Sequence, residues 1–540
     1  MTKWSVLAVL GVAQFLMVLD QAVMNVAISQ LVDDFDTTVT TIQVVIAFYA
    51  LTMAALMLTG GKLGDIIGRR RAFAIGLCIY GAGSALTAAS WSVPSLMLGW
   101  SILEGIGAAL VLPALVALTA GNYQGADRAI AYGVLGGVAG AGIAVGPILG
   151  GWVTTDFTWR LVFVGEVVVA IGILFGTRWI REPARQGRAP KLDWIGGVLS
   201  AAGLALIVMA VLQASNWGWL LPSSSPVEPF GLSLTPFVLA AGGVILAGFR
   251  AWERRREEGG FDPLVHFSLF SIETLRGGLA MLLAQNLILM GIFFTIPLFL
   301  QVVLGLDALE TGVRMLPASV GLFLAALGGS ALSSRFAAKG LVRVGLGIVF
   351  LSTLMLLDTI EPELDNASFL TAMGVLGVGM GLVISQLGNV VQSSIGEEDR
   401  SEAGGLQNTA QQLGSSLGTA LLGAVVITGL IGAFSTSVES DPTISAGVKK
   451  QVEVELSAGG SFVESDQVAA AATESGLDRK TTETLVSHYE DSQLDALKIA
   501  FVFAALIVLA SLLTTRHLPS RRFDELQSDA GPPAAEPTAA

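Results

Sequence analysis

Fourteen apolar stretches, each long enough to cross a lipid bilayer, constrain this 540-residue chain more than any other feature of its sequence. A helix rising 1.5 Å per residue needs about 20 mostly apolar residues to traverse roughly 30 Å of hydrocarbon. Charged and turn-rich breaks delimit such runs at approximately 5–28, 41–60, 72–90, 95–118, 129–153, 160–178, 192–213, 234–250, 277–300, 312–332, 343–360, 369–391, 404–432 and 495–515. With 53% of residues apolar and only 14% charged, no water-soluble core could absorb this much hydrocarbon. The expected fold class is therefore an all-α polytopic membrane protein. The first run resembles a secretory leader at its start but continues through Asp20 to Ile28 without a cleavage pattern, so it is expected to remain as a spanning helix.

Orientation follows from where basic residues fall, because cytoplasmic loops retain Lys and Arg. With the N terminus inside, 23 of the 30 lie on the inner side, and the outer side receives only Arg160, Arg314, Lys449, Lys450, Arg479, Lys480 and Lys498. Both termini are thus expected in the cytoplasm and the chain in the plasma (inner) membrane. Nine of the ten Trp lie near proposed span ends, where an amphipathic ring is comfortable; the exception is Trp100. Loop lengths group the helices as six, two and six. Residues 1–178 form an N-terminal bundle, 179–262 a linker with two further helices, and 263–515 a C-terminal bundle that includes an acidic, partly helical outer segment, 433–494. Residues 516–540 form a cytoplasmic tail, Pro/Ala-rich towards its end, with too little apolar content to fold. A net charge of −13 argues against nucleic acid as a partner and suits cationic cargo. Cys78, the one cysteine, excludes an intramolecular disulfide or a multi-cysteine metal site, and its apolar surroundings predict an inert core residue.

The sharpest local signal is GKLGDIIGRRR, Gly61 to Arg71, on the inner side between the second and third spans. Gly61, Gly64 and Gly68 permit a tight turn, Asp65 can accept hydrogen bonds, and Arg69, Arg70 and Arg71 suit anionic headgroups. The segment resembles motif A (GxLxDxxGRR) of the major facilitator superfamily. The resemblance extends along the chain: LDQAVMNVA (Leu19 to Ala27) is similar to an element of the 14-helix drug:proton antiporters of the EmrB/QacA type. GIAVGPILGG, with Gly142, Gly146, Pro147, Gly150 and Gly151, matches the antiporter motif C, and WRLVF (Trp159 to Phe163) follows it. Phe261 to Phe270 and the spacing of Gln301, Gly305, Gly312 and Pro317 also resemble that family. The resemblance implies a major facilitator fold of 6+2+6 helices. It also implies that motif A latches the cytoplasmic ends of the halves, one-sidedly here because Ser333 stands where the second half would align an Asp. Small residues at four-residue spacing in motif C allow close helix packing, and Pro147 favours a bend.

Charge inside hydrocarbon is expensive and therefore informative. Asp20, Glu104 and Glu166 fall within the first, fourth and sixth runs, about 6, 3 and 4–5 Å outward of their midpoints, which allows them to share one layer. A carboxyl in low dielectric is cheaper neutral than charged, and repulsion between neighbours favours keeping a proton on one of them. These three are the candidates for coupling protons to cargo, the bland alternative being hydrogen-bonded structural acids. The family's motif B, RxxQGxGAA, appears as SILEGIGAA, with Ser101 in place of the Arg and Glu104 in place of the Gln; Glu166 replaces an Asn usual in WRxxFxxN. The usual relay of the family is thereby put in doubt, while the case for an acid that binds a proton or a cation is strengthened. Asn25, Ser101, Gln285 and Asn286 are candidate cavity residues; the last two serve equally well as links between helices.

No GxxxxGK[ST] nucleotide loop is present, so the expected driver is a proton gradient, with no cofactor and no metal. Gly414 to Gly418 fits the GxSxG esterase expression around Ser416, and Gly377 to Gly381 imitates a dinucleotide loop, but both lie inside apolar runs where helix packing explains them better. The expectation is a non-enzymatic secondary transporter exporting amphipathic, often cationic drugs or antiseptics in exchange for protons. The alternative within the same fold is export of an endogenous metabolite or lipid-like compound; a membrane-embedded hydrolase is a remote one. Oligomeric state is open, and a monomer is compatible with this cycle.

Overall fold

A computed structural model describes residues 4–123, 125–182, 191–222, 225–333, 335–395, 400–459 and 462–520. Its described residues are helical with irregular connections, and 14 helices are long and apolar enough to span a bilayer. Helices are the expected solution, because backbone N–H and C=O groups in hydrocarbon must be satisfied within their own segment. In the first half these are α1 (Ser5–Val26), α3 (Val39–Ile67), α4 (Arg69–Ala88), α5 (Val93–Asn122), α6 (Gly125–Asp156) and α7 (Arg160–Gly176), with a short helix α2 (Ile28–Asp34) between the first two. The linker contributes α8 (Trp194–Trp217) and α9 (Thr235–Glu258). The second half comprises α10 (Glu273–Val303), α11 (Ala308–Leu332), α12 (Ala338–Asp358), α13 (Asn366–Ser393), α14 (Arg400–Ser440), the shorter α15 (Ala446–Gly459) and α16 (Ser465–Glu474), and α17 (Arg479–Thr514).

Two seams join the halves: α6 packs along α11, and α3 along α14. The linker pair α8 and α9 packs together, and α8 lies against both α3 and α14, so it sits beside the second seam. The segment between α9 and α10 is tied to α14, where Glu402 accepts from the His266 backbone N–H at 2.6 Å and meets its ring Nδ1 at 2.7 Å. The hydrogen bond to Glu402 holds the His266 imidazole above its ordinary value of 6.5. Stability from this pair is complete below that value and fades as pH rises through the raised one. Glu402→Gln is expected to lower Tm by about 1–3 °C at pH 6 and by less at pH 9, the effect kept small by solvent screening. An equal loss at both pH values in thermal melts would show that the imidazolium is not involved.

The last two spanning helices extend beyond their apolar runs into the segment expected to be partly helical: α14 continues past 432 to Ser440, and α17 begins at Arg479, ahead of 495. At 41 residues, α14 is about 60 Å long, twice the hydrocarbon thickness. Hydropathy registers only the part in oil; the remainder is a polar helix in water, where no apolar run is needed. The extensions and α16 pack as a cap at one end of the bundle, in which His488 Nε2 lies 2.8 Å from the Asp441 carboxylate and the Tyr489 hydroxyl accepts from the Val463 N–H at 2.9 Å. Hydrogen bonds from Thr443 and then His488 hold the Asp441 carboxyl down at about 2.

Cys78 is exposed on α4 and faces outward rather than into the core. Its helix buries Phe73, Leu77 and Tyr80 instead, and one turn cannot direct every apolar side chain inward. Phe293, Phe294 and Phe299 are buried packing residues. Arg185, Arg188 and the tail from 521 onward lie outside the described residues.

Candidate functional site

The three intramembrane acids meet. Asp20 on α1, Glu104 on α5 and Glu166 on α7 each present a carboxylate oxygen within 4.8 Å of the others, and the side chains are 0%, 0% and 2% exposed. Glu104 ends a wide, π-type stretch of α5, Met97–Glu104, that also carries Trp100 and Ser101. An extra residue per turn re-aims side chains, and such stretches concentrate at functional positions. Close approach of α4 makes the layer compact: a Cβ added to Gly83 would lie 2.6 Å from Glu104 Cγ, and one added to Gly99 would lie 2.7 Å from Thr87 Oγ1.

Each acid receives hydrogen bonds on one oxygen from uncharged donors. Trp100 Nε1 donates to Asp20 Oδ1 at 2.7 Å, and Thr87 Oγ1 to Glu104 Oε1 at 3.0 Å. Glu166 Oε2 accepts from the Tyr80 hydroxyl at 2.8 Å and from Ser84 Oγ at 3.1 Å. The opposite oxygens, Asp20 Oδ2, Glu104 Oε2 and Glu166 Oε1, have no hydrogen-bond partner. Tyr49 stacks on Trp100 with ring centroids 4.4 Å apart, and its buried hydroxyl lies against Asp20 without completing a hydrogen bond of ordinary geometry. Two carboxylates at about this separation repel by roughly 3 kcal/mol even at an effective dielectric of ~20. Three charges with no basic side chain among their hydrogen-bond partners therefore call for protons or a cation.

Sequence reasoning selected the acids but missed the donors Trp100, Tyr80, Ser84 and Thr87 and the neighbouring Tyr49. One signal was available: Trp100 is the tryptophan that avoids the span ends. The expected cavity residues take part in hydrogen bonds of their own. Asn25 donates to the Gln21 carbonyl at 2.8 Å, one turn back on α1, and Ser101 on α5 donates to the Val45 carbonyl of α3 at 2.8 Å. Asn286 donates to Gln285 Oε1 at 3.0 Å along the same helix.

The motif C glycines on α6 face α1: an added Cβ at Gly146 would sit 2.3 Å from Ala22 Cβ, with Val18 and Val23 meeting Gly142 and Gly150. On its other side α6 abuts α11, where a Cβ at Gly151 would lie 2.4 Å from the Ala308 carbonyl oxygen and one at Gly312 only 2.1 Å from that of Pro147. In motif A, Gly68 adopts a φ of 102°, a left-handed conformation suited to glycine, and joins α3 to α4. Asp65 pairs with Arg69 at 2.8 Å, and Glu182 accepts from the Arg69 and Arg70 backbone N–H groups at 2.7 and 3.0 Å. Gly61 packs on Pro113, and Gly64 on Ala72. Gln301 bridges the halves by donating to the Val26 carbonyl at 2.9 Å and accepting from Ser29 Oγ at 2.7 Å. The two decoys are packing features: Ser416 Oγ donates to the Ala47 carbonyl across the α3–α14 seam, and a Cβ at Gly377 would collide with the Ala318 carbonyl.

Comparison with known proteins places these elements in context. Residues 10–419 match the family model described as Major Facilitator Superfamily. The chain is 30% identical over 476 residues to a probable actinorhodin transporter of Streptomyces coelicolor, covering 87% of this chain and 79% of that protein. It is 32% identical to a puromycin resistance protein of Streptomyces alboniger, covering 78% and 82% of the two chains. A multidrug efflux pump of Mycolicibacterium smegmatis is 29% identical, with coverage of 87% and 89%. Among solved structures, a bacterial homologue of the human lysosomal transporter Spinster superposes with a TM-score of 0.61 at 14% identity, covering 96% of this chain and 97% of that one.

Proposed function

Since the chain belongs to the Major Facilitator Superfamily, a family of multi-pass membrane transporters, we propose that it exports amphipathic, often cationic small molecules across the plasma membrane in exchange for protons. Both termini face the cytoplasm in this reading, and the halves α1–α7 and α10–α17 rock about the α6–α11 and α3–α14 seams to expose a central site alternately. The observation that carries it is the cluster of Asp20, Glu104 and Glu166, three buried acids whose hydrogen-bond partners are all neutral. Protons entering from the outer side neutralise the cluster, cationic cargo is displaced, and loss of those protons to the cytoplasm restores the charge that attracts the next cation. The names of the relatives, which include a puromycin resistance protein and a multidrug efflux pump, support small-molecule cargo.

The test is transport in proteoliposomes with an imposed pH gradient and a hydrophobic cation such as ethidium as cargo. Movement of the cation against its gradient, abolished by a protonophore, is the expected result. Equal rates with and without the gradient would refute proton coupling. A second reading, export of an endogenous metabolite by the same cycle, draws support from the actinorhodin transporter of Streptomyces coelicolor. It is favoured if neutral polycyclic compounds are moved and ethidium is not.

A further inference from the structure

We propose that the carboxyl cluster of Asp20, Glu104 and Glu166 is also a binding site for a single hard divalent cation of calcium size. The inference builds on the reading of this cluster as the exchanging site, and its ground is geometry rather than titration. One oxygen of each side chain lies within 4.8 Å of the other two. Ca²⁺ binds oxygen at about 2.3–2.6 Å, so one ion can touch two oxygens no farther apart than that bound, and a site whose three side chains are all buried disfavours Mg²⁺, which gives up its waters reluctantly.

A second observation points to a ligand. Each carboxylate, 98% or more buried, keeps one oxygen without a hydrogen-bond partner, and the other oxygen is held by Trp100, Thr87, or Tyr80 with Ser84. That division of labour is what a metal site uses, where outer donors orient a ligand whose remaining oxygen is free to coordinate. The Tyr49 hydroxyl, buried and against Asp20, offers a fourth oxygen. Every available donor is oxygen, with neither His nor Cys in the group, which selects hard cations over zinc or copper. Charge favours a divalent ion: it leaves the three carboxylates with a net charge of −1, whereas a monovalent ion leaves −2. Within the transport cycle the ion occupies the charge-neutralised state in place of protons, so it competes with the gradient that drives export.

The experiment is equilibrium binding of Ca²⁺ to the purified full-length protein, with Mg²⁺ and Na⁺ as competitors. The expected result is one Ca²⁺ per chain, displaced poorly by Mg²⁺ and Na⁺, with affinity rising with pH because the ligands must be deprotonated. The near-isosteric variants Asp20→Asn, Glu104→Gln and Glu166→Gln, each checked for a monodisperse elution profile, should each weaken binding by at least ~10-fold. Should a variant fail to fold, the wild-type stoichiometry and pH dependence decide alone: no saturable binding, or binding indifferent to pH, overturns the proposal. Undiminished binding in a folded variant does so too, since it places the ion elsewhere. Gradient-driven flux without Ca²⁺ binding removes this inference and leaves the transport function standing; Ca²⁺ binding without such flux does the reverse.

Discussion

Asp20→Asn is expected to reduce cargo accumulation driven by a pH gradient by on the order of 100-fold, near the upper end of coupling free energies between sites. Asn keeps the size of the side chain and an acceptor for Trp100 Nε1, which donates to Asp20 Oδ1 at 2.7 Å, so the fold should tolerate it. What it loses is the ability to exchange charge for a proton. Exchange of labelled for unlabelled cargo with no gradient, which needs only the rocking motion, should survive at a substantial fraction of the wild-type rate. Glu104→Gln is expected to behave similarly, because Glu104 is equally buried and has a neutral partner, Thr87, at 3.0 Å. Unchanged gradient-driven transport in both variants would defeat the coupling roles, whatever the fold.

Gly312→Val is expected to lower transport by at least ~10-fold while leaving a folded protein. A Cβ at this position would lie 2.1 Å from the Pro147 carbonyl oxygen and 2.7 Å from its carbon, and neither backbone atom can swing aside as a side chain can. Overpacking of this kind costs roughly 1–3 kcal/mol. Here the cost falls on the arrangement that holds α6 against α11, so it becomes a population shift of about 5- to 150-fold towards states in which that seam is open. Gly328→Val on the same helix is the control, because nothing lies within 4 Å of the Cβ it would add. Spin-label distances across the seam should widen in the first variant and not in the second. Wild-type transport by Gly312→Val would mean that this close approach does not limit the moving interface.

The number of crossings, the long apolar helices and the identity of the buried acids were legible in the amino-acid order, because each is a local property. A run of about 20 apolar residues must be helical in oil, and an acid within it must be there for a reason. Even there the reading stopped at the edge of the hydrocarbon: hydropathy could not show that α14 reaches Ser440 or that α17 begins at Arg479, since a helix in water carries no such signature. The inward or outward direction of a single residue was also beyond it, as the exposed Cys78 illustrates.

The functional layer was a tertiary decision. Asp20, Glu104 and Glu166 are up to 146 residues apart in the chain, and axial height alone says nothing about whether their helices turn them towards one another. Rotation of α1, α5 and α7 about their axes, set by glycine contacts such as Gly146 on Ala22 and Gly83 on Glu104 and by the wide turn Met97–Glu104, brings one oxygen of each to within 4.8 Å of the other two. The same packing determines which oxygens meet Trp100, Thr87, Tyr80 and Ser84 and which are left unpaired. Burial depends on how many apolar atoms a segment carries, which can be read along one chain; coordination depends on angles between several helices, which exist only after they have packed.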